Sequence, residues 1–321
     1  MLTFSSYLDS EIELINAEIQ RSIRNLPPYL YDIAAYTALS GGKRIRPILT
    51  LASARLFGIQ GQELYGLSVI PELIHVATLL HDDVLDHAKM RRGRPAAHII
   101  FGAAPAILAG DALLALANHM AASYGSSRIM QCVSEAVIMT AEGEAHEMKR
   151  QHCAYCDNRE YVDIVTGKTG WLIRCACRLG TLYAGAADKD VERLSEFGLN
   201  LGIAFQLIDD ALDFADENET GKPTAGDLQE GKFTPPLMMY ADSLQNHHAD
   251  EFLNKFKHGS FTQEELKAIA GEIRKKGFDE STRALAGEYL GKAASCLEGM
   301  PSCFERNVFF DALEYVRARK K

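Results

Sequence analysis

Apolar residues recur along this chain at the spacing of one helix face, and this pattern limits the possible folds more than any other feature. The clearest examples are Ile12, Ile15, Ile19 and Ile23, and Leu194, Phe197, Leu201 and Phe205. Segments 105–124, 126–150 and 190–214 are rich in Ala, Leu and Glu, which favour helix. The sequence has no series of short alternating strands and no strand followed by a GxGxxG turn. We therefore predict an all-α fold with ten or more helices, in a single domain over residues 1–321.

Composition and charge exclude several classes of protein. Of the 321 residues, 47% are apolar, and the length is ample for a large core. The net charge of -9 argues against a nucleic-acid binder that works through a general basic surface. We see no signal peptide and no apolar run long enough to be a transmembrane segment. Seven cysteines, an odd number without a secretion signal, predict reduced thiols and a cytoplasmic protein.

Two acidic clusters with identical spacing each follow a strongly apolar helical segment. The first Asp cluster is Asp82, Asp83 and Asp86, and the second Asp cluster is Asp209, Asp210 and Asp213. In a helix, residues i and i+4 share a face, so each DDxxD brings like charges together and is unfavourable unless a cation binds there. Clustered oxygen ligands suit Mg²⁺, which keeps water ligands and bridges to phosphates. One such motif is weak support for a metal site, but two with the same spacing are much stronger.

Basic residues complement these carboxylates. Gly41-Gly42-Lys43-Arg44-Ile45-Arg46-Pro47 places cations at a helix start, where backbone N–H groups and side chains can hold a phosphate. The alternative is an ordinary helix start with surface cations. Further candidate cations lie in Arg91-Arg92-Gly93, just after the first Asp cluster, and in Lys168-Thr169 and Gly231-Lys232. Together these residues indicate a site for a diphosphate and Mg²⁺.

In the order and spacing of these motifs, the chain resembles the trans-isoprenyl diphosphate synthases of the polyprenyl synthetase family. The resemblance runs from about Tyr31 to the C-terminus and includes Glu72-Leu73-Ile74-His75, Gly110-Asp111 and Gly221-Lys222. It implies antiparallel helices around a deep cavity, a homodimer, and condensation of isopentenyl diphosphate with an allylic diphosphate. It also implies a possible peripheral membrane contact for product release. Glu147 departs from the resemblance, because long-chain members often carry Gln there.

The resemblance also implies roles for individual residues. Both Asp clusters would hold two or three Mg²⁺ ions that bind the allylic diphosphate. The residues expected to contact this diphosphate are Arg91, Lys168, Thr169, Gln206, Lys222 and Lys232. Those expected to hold isopentenyl diphosphate, here called the cation shelf, are Lys43, Arg46, His75 and Arg92. The basic residues 317–321 either fold over the diphosphate site or stay without fixed structure.

Product length would depend on Ala77 and Thr78, four and five residues before Asp82. Short-chain members of the family typically carry aromatic residues there, so these small side chains predict products of about thirty carbons or more, the kind used in quinone side chains. Alternatively, Ala77 only packs against a neighbouring helix and Met120 or Tyr124 closes the cavity. A short-chain synthase, a class I terpene synthase and a non-catalytic regulatory subunit also remain alternatives. Terpene synthases lack the cation shelf, and silent subunits typically lose Asp residues that this chain retains.

Overall fold

The computed structural model describes residues 4–154, 157–216 and 224–320, and most of these residues are helical. The helices of the first part are α1 Phe4–Ile23, α2 Pro28–Ala38, α3 Ile45–Leu56, α4 Glu63–Leu85, α5 Ala97–Phe101, α6 Ala103–Ser123 and α7 Ser127–Arg150. Those that follow are α8 Asn158–Val165, a π-helical turn Thr166–Gly170, α9 Trp171–Tyr183, α10 Asp188–Leu212, α11 Gly226–Glu230, α12 Pro235–Ser243, α13 Asn246–His258, α14 Gln263–Lys276, α15 Phe278–Ser295 and α16 Phe304–Arg317. The prediction of an all-α fold is confirmed.

A short hairpin is the one sheet among the described residues. Strands β1 Met90–Arg91 and β2 Arg94–Pro95 pair antiparallel, with Arg91 opposite Arg94. Arg92 and Gly93 form the turn with φ of +51° and +74°. A two-residue turn with both residues at positive φ is type I′, which matches the twist of paired strands. Two residues per strand are too few to give an alternating pattern, so the sequence did not predict this hairpin.

The three helical segments predicted from composition are confirmed to within two residues at each end. Segment 105–124 corresponds to α6, 126–150 to α7 and 190–214 to α10. Deviations of this size are normal for helix ends, which fray.

The chain divides into two compact units. The first comprises Met1–Val137, Leu172–Ser195 and Gly299–Phe309. The second comprises Ile138–Trp171, Glu196–Glu298 and Phe310–Lys321. The single domain over residues 1–321 stays a prediction.

In the first unit, α4 is the central core helix. It packs against α3 and most extensively against α6. Leu67, Val69, Ile70, Leu73 and Ile74 are completely or almost completely buried. A helix that is apolar on all sides is stable only when neighbouring elements surround it. The mostly buried segment from Leu73 to Leu80 therefore fixes the position of the first Asp cluster, which follows it.

Helices α4 and α6 are also long and apolar enough, by length and composition alone, to cross a membrane. Core helices of soluble proteins meet the same criterion. In α4, 72% of the most apolar window is buried inside the protein, against 39% in α6. The two helices are therefore weak support for a membrane span.

In the second unit, an aromatic cluster forms a separate core under α12, α13 and α14. Phe214, Leu237, Phe256 and Ile273 are fully buried in it, and Phe252 is 5% exposed. Phe214 directly follows the second Asp cluster, so this packing fixes the chain where α10 ends. Burial of each such aromatic side chain stabilises the fold by about 1.5–3 kcal/mol.

Candidate active site

The first Asp cluster lies at the C-terminal end of α4. Asp82 and Asp83 belong to its last turn, and Asp86 is the C-cap residue, whose N–H donates to the Asp82 carbonyl at 2.8 Å. Negative side chains oppose the helix dipole at this end, where cations are favoured. Arg91 compensates one of these charges, since its Nε donates to the buried Asp83 carboxylate at 2.8 Å. Arg91 thus contacts a carboxylate of the cluster, and this contact would compete with its predicted contact with diphosphate.

The hairpin turn holds Arg92 against the Gly41-Gly42 segment. The guanidinium donates to the Gly41 carbonyl and, at 3.3 Å, to Ser40 Oγ. A Cβ on Gly42 would lie only 3.1 Å from Arg92 Nη1, and Gly42 has a φ of +134°. Gly42 therefore allows the backbone and the guanidinium to approach each other, which explains a glycine at this position.

Three residues of the cation shelf come together in the first unit. Burial is the main cause that lowers the pKa values of Arg46, His75 and Arg92. For His75, the charges of Arg46 and Arg92 lower the pKa further, well below the usual range. His75 is therefore neutral at pH 7, and a neutral imidazole can still donate one hydrogen bond and accept another. Arg46 Nε is buried, and no partner for it exists among the described residues.

The other two basic residues of this segment differ from Arg46. Lys43 is exposed, just before α3 begins. Arg44 is buried, with a φ of +51°, and its guanidinium binds the Glu72 carboxylate at 2.8 Å and the Ala38 carbonyl at 2.6 Å. Arg44 therefore has a structural role, and Lys43 and Arg46 stay the predicted anion-binding groups of the segment.

The second Asp cluster lies at the C-terminal end of α10, so it has the same unfavourable position on the helix dipole. Asp209 is about half exposed and accepts a hydrogen bond from Arg319 Nη2 at 2.7 Å. The Arg319 guanidinium also lies 4.1 Å from the centre of the Phe205 ring, a cation–π contact. The C-terminal tail therefore folds against the second Asp cluster as far as Arg319, in agreement with the first of the two predicted alternatives.

Asp210 is buried within a hydrogen-bond network of the second unit. It accepts hydrogen bonds from the Tyr161 hydroxyl and, at 2.8 Å, from Gln206 Nε2. Thr169 Oγ1 in turn donates to Gln206 Oε1 at 2.9 Å. Burial raises the pKa of Asp210 to about 7 and that of Tyr161 well above its usual value. The predicted residues Thr169, Gln206 and Asp210 are thus connected, and Tyr161 joins them.

Asp213 accepts hydrogen bonds from the N-terminal backbone of α11. Its carboxylate receives the N–H groups of Gly226 at 3.1 Å and Asp227 at 2.9 Å. Burial raises the pKa of Asp213 to about 6. The Asp227 carboxyl faces the same region. Its pKa is raised mainly by burial and further by the charge of Asp213. Its Oδ2 is buried and has no hydrogen-bond partner among the described residues. Sequence reasoning missed Asp227, because it lies outside both DDxxD motifs.

Lys168 occupies the π-helical turn Thr166–Gly170, where backbone packing is very close. A Cβ on Gly143 of α7 would lie 2.2 Å from the Lys168 backbone nitrogen. Single π-helical turns often occur at functional sites. The Lys168 ammonium contacts Glu144 at 2.8 Å and Glu147 at 2.5 Å. Burial alone would lower the pKa of Lys168, but these carboxylates raise it above its usual value, so the side chain is charged at neutral pH.

Lys232 lies beside Lys168 at the same carboxylate. Its ammonium is 3.7 Å from Glu147 and 2.6 Å from Glu230. Burial opposes its charge, but Glu147 and Asp227 raise its pKa above the usual value. One cavity of the second unit is lined by four of the predicted site residues, Lys168, Gln206, Asp210 and Lys232. Three residues that were not predicted as site residues also line it, namely Tyr161, Asp227 and Glu147. Lys222, also predicted here, lies outside the described residues.

The acidic residues fit Mg²⁺ by the chemistry of their donors, although they are not arranged as a ready-made site. Within residues 4–154, 157–216 and 224–320, no three acidic, His or Cys side chains converge as a metal site. The donors at both clusters are carboxylate oxygens, which Mg²⁺ prefers, and Asp227 adds a buried oxygen without a partner. Mg²⁺ keeps several water ligands and is commonly bound by only one or two carboxylates plus substrate phosphates. The residues therefore fit this ion.

The two predicted length-determining residues lie in the first unit. Ala77 is fully buried in α4, and Thr78 Oγ1 donates to the His75 carbonyl at 2.9 Å. Tyr124, an alternative closing residue, donates its hydroxyl to the Glu63 carbonyl at 3.0 Å, at the other end of α4. At 1.5 Å per residue, Glu63 and Asp82 are roughly 28 Å apart along the helix. Tyr124 is therefore far from the first Asp cluster.

Comparison with known proteins identifies relatives over nearly the whole chain. Residues 27–273 match the family model described as polyprenyl synthetase. Geranylgeranyl diphosphate synthase of Sulfolobus acidocaldarius is 34% identical over 310 residues, 94% of each chain. Octaprenyl diphosphate synthase of Escherichia coli is 33% identical over 288 residues, 89% of each chain.

A solved structure is similar as well. The polyprenyl synthase of Caulobacter crescentus, complexed with calcium and isoprenyl diphosphate, has a TM-score of 0.92 and 31% identity, covering 98% of this chain and 96% of its own. Residues 27–273, which match the family model, contain both Asp clusters and the cation shelf. This chain belongs to the polyprenyl synthetase family of trans-prenyl diphosphate synthases, which are prenyltransferases and generally depend on Mg²⁺.

Proposed function

We propose that this protein condenses isopentenyl diphosphate head-to-tail with an allylic diphosphate to give a long-chain all-trans-polyprenyl diphosphate of about thirty carbons or more. The observation that carries this proposal is the pair of DDxxD clusters at helix C-termini, each in a unit that also contains partly buried cations, such as Arg46 in the first and Lys168 in the second. Acidic clusters there are costly without bound cations, and lysines and arginines beside them suit anionic substrates.

The carboxylates of both clusters would bind two or three Mg²⁺ ions together with the allylic diphosphate. When bound, Mg²⁺ neutralises charge on the diphosphate leaving group. Asp82 and Asp209, neither of them deeply buried, are the residues that we expect to contact metal directly. Asp210 is held by Tyr161 and Gln206, so this network orients its carboxylate.

Lys168 and Lys232 would stabilise the negative charge that develops when the allylic C–O bond breaks. Both remain charged despite burial, because carboxylates raise their pKa values. A fixed charge in a partly dehydrated site stabilises a leaving group more strongly than the same charge in water. Thr169, Gln206 and Arg91 would add hydrogen bonds, and Lys222 belongs to this proposal by the resemblance alone.

The cation shelf would hold isopentenyl diphosphate and present its double bond to the allylic carbocation. Fixing both substrates converts an encounter of two molecules into a local reaction. Arg46 and Arg92 supply charge, and neutral His75 supplies a hydrogen bond. The released diphosphate would accept the proton lost at the end, and apolar surroundings would protect the carbocation from water.

The activity is tested with purified protein, farnesyl diphosphate, isopentenyl diphosphate and Mg²⁺. Chain growth supports the proposal, a cyclised hydrocarbon supports a terpene synthase, and no turnover without a partner supports a regulatory subunit. Asp82→Ala and Asp209→Ala should each reduce turnover by several orders of magnitude. Retention of more than about a tenth of wild-type activity at saturating Mg²⁺ would contradict the assigned roles.

Product length is tested at Ala77. The relatives named above include both a geranylgeranyl and an octaprenyl synthase at nearly equal identity, so similarity does not decide it. The long cavity is proposed from the small size of the Ala77 side chain and from the position of Tyr124, far from the first Asp cluster. Ala77 itself is fully buried, as its packing against a neighbouring helix would also require. Ala77→Phe should shorten the product to about fifteen or twenty carbons while condensation continues. Unchanged product length, or a wild-type product of fifteen carbons, refutes this assignment.

We also propose a homodimer in the cytoplasm. Ile99 and Ile100 on α5 and Ile107 and Leu108 on α6 are between 40% and 57% exposed, a concentration of apolar surface typical of an interface. Sedimentation should give twice the monomer mass, and Leu108→Glu should shift it towards the monomer. The odd number of cysteines, seven, agrees with a reducing compartment.

A further inference from the structure

Glu147 lies against two ammonium groups at once. Its Oε2 is 2.5 Å from Lys168 Nζ and 3.7 Å from Lys232 Nζ. All three side chains are less than a quarter exposed, so solvent screens their interaction only weakly. Burial by itself would raise the pKa of Glu147, but the two lysines lower it below the usual value. The carboxylate is therefore ionised.

The carboxylates around the two lysines more than neutralise them. Glu144 contacts Lys168 at 2.8 Å and Glu230 contacts Lys232 at 2.6 Å, in addition to the shared Glu147. Three carboxylates thus surround two ammonium groups, next to the acidic Asp210 and Asp227. Without a metal ion, an incoming diphosphate meets a group of side chains with net negative charge. Such a site attracts an anion poorly.

We propose that Glu147 is a built-in counter-anion that occupies the place of a diphosphate oxygen between Lys168 and Lys232, and that it thereby weakens the binding of released inorganic diphosphate. This inference rests on the proposed function, in which the two lysines bind the allylic diphosphate. The carboxylate keeps the like-charged ammonium groups together before substrate binds. A diphosphate must then displace it, and the displaced carboxylate helps the product to leave.

The isosteric variant Glu147→Gln separates this role from simple positioning. Glutamine has the same shape and still accepts a hydrogen bond from Lys168, but it has no charge. If Glu147 is a competing anion, Glu147→Gln should bind inorganic diphosphate at least about tenfold more tightly, because a nearby like charge disfavours an anion. If Glu147 only positions the lysines, the same variant should bind diphosphate more weakly.

The measurement is calorimetric titration of the purified, full-length enzyme with inorganic diphosphate, in EDTA and again in Mg²⁺. The gain for Glu147→Gln should be larger in EDTA, where no metal offsets the carboxylate charge. Glu147→Asp keeps the charge and should stay within about threefold of wild type. Glu144→Gln removes a carboxylate that, of the two lysines, contacts Lys168 alone, so it should give a smaller gain than Glu147→Gln. Equal or weaker binding by Glu147→Gln overturns the inference.

A further variant distinguishes failure of this inference from failure of the proposed function. Lys168→Met should weaken diphosphate binding in Mg²⁺ at least about tenfold if Lys168 is a diphosphate ligand. If Lys168→Met binds as wild type does, the assignment of the lysine is wrong. If Lys168→Met binds weakly while Glu147→Gln is unchanged, only the role of Glu147 is wrong.

Discussion

Replacement of Gly143 by alanine should damage both stability and diphosphate binding, because this residue packs directly against the backbone that carries Lys168. The added Cβ would lie 2.2 Å from the Lys168 nitrogen and 2.8 Å from Gly167 Cα, whereas ordinary contact begins at 3.4 Å. The neighbours are backbone atoms, so the π-helical turn itself must move by about 1 Å. Such overpacking costs typically about 1–3 kcal/mol.

The magnitude follows from two opposing effects. In a helix, Gly→Ala gains about 0.5–1 kcal/mol from backbone entropy. Because the clash is with backbone atoms, we take the upper end of the overpacking cost, about 3 kcal/mol. Subtracting a gain of about 1 kcal/mol leaves a net loss of about 2 kcal/mol. With a urea m-value of about 3 kcal/mol/M, the unfolding midpoint should fall by about 0.7 M. Displacement of Lys168 should also weaken inorganic diphosphate binding by tenfold or more.

Gly271→Ala is the matched control. Gly271 is also in a helix, α14, but its new Cβ would have no atom within 4 Å. The same chemical change should therefore stabilise the protein by about 0.5–1 kcal/mol and leave diphosphate binding unchanged. Urea unfolding followed by circular dichroism, with calorimetric diphosphate titration, measures both effects. If Gly143→Ala behaves like Gly271→Ala, the backbones of Gly143 and Lys168 are not in close contact.

Three further predictions concern other sites. Arg46→Ala should raise the Michaelis constant for isopentenyl diphosphate more than that for the allylic substrate, and an equal effect on both would refute the cation shelf. Arg319→Ala removes the cation that pairs with the second Asp cluster, so Mn²⁺ binding followed by electron paramagnetic resonance should tighten several-fold, and unchanged binding refutes this competition. The Lys255 side chain, followed by the Thr262 backbone N–H, holds the pKa of Glu265 at about 2, below its ordinary 4.5. A carboxyl group whose pKa is lowered by folding stabilises the fold at pH values above its ordinary pKa. The urea unfolding midpoint should therefore decrease as the pH falls from about 4.5 towards 2, and this decrease should be smaller in the Glu265→Gln variant.

The fold and the polar motifs could be predicted because both are local in sequence. Composition rich in Ala, Leu and Glu located α6, α7 and α10, and DDxxD spacing located acidic clusters that end apolar helices. The spacing could not predict that Asp213 accepts backbone N–H groups of α11 or that Asp83 pairs with Arg91. These contacts depend on how the chain folds back after each helix.

Contacts between distant residues were beyond sequence reasoning. Arg319 and Asp209 are 110 positions apart, and Tyr161 and Asp210 are 49 apart. No periodicity links such residues, and Tyr161 looks like an ordinary buried residue of the amphipathic helix α8. Arg44 illustrates the opposite case, since a basic residue inside a phosphate-binding pattern proves to be a buried partner of Glu72. The backbone of Arg44 is also left-handed, with a φ of +51°, which the sequence does not indicate.

The role proposed for the partly buried cation shelf predicts an unusual response of this acidic protein to ionic strength. The chain has a net charge of -9, so an approaching diphosphate is repelled at long range and attracted only within a few ångströms of Arg46 and Arg92. Salt screens charges separated by more than the Debye length, about 8 Å under physiological conditions, but screens partly buried contacts much less. Moderate salt should therefore accelerate the capture of isopentenyl diphosphate. A protein with a basic surface, such as a nucleic-acid binder, would show the opposite dependence.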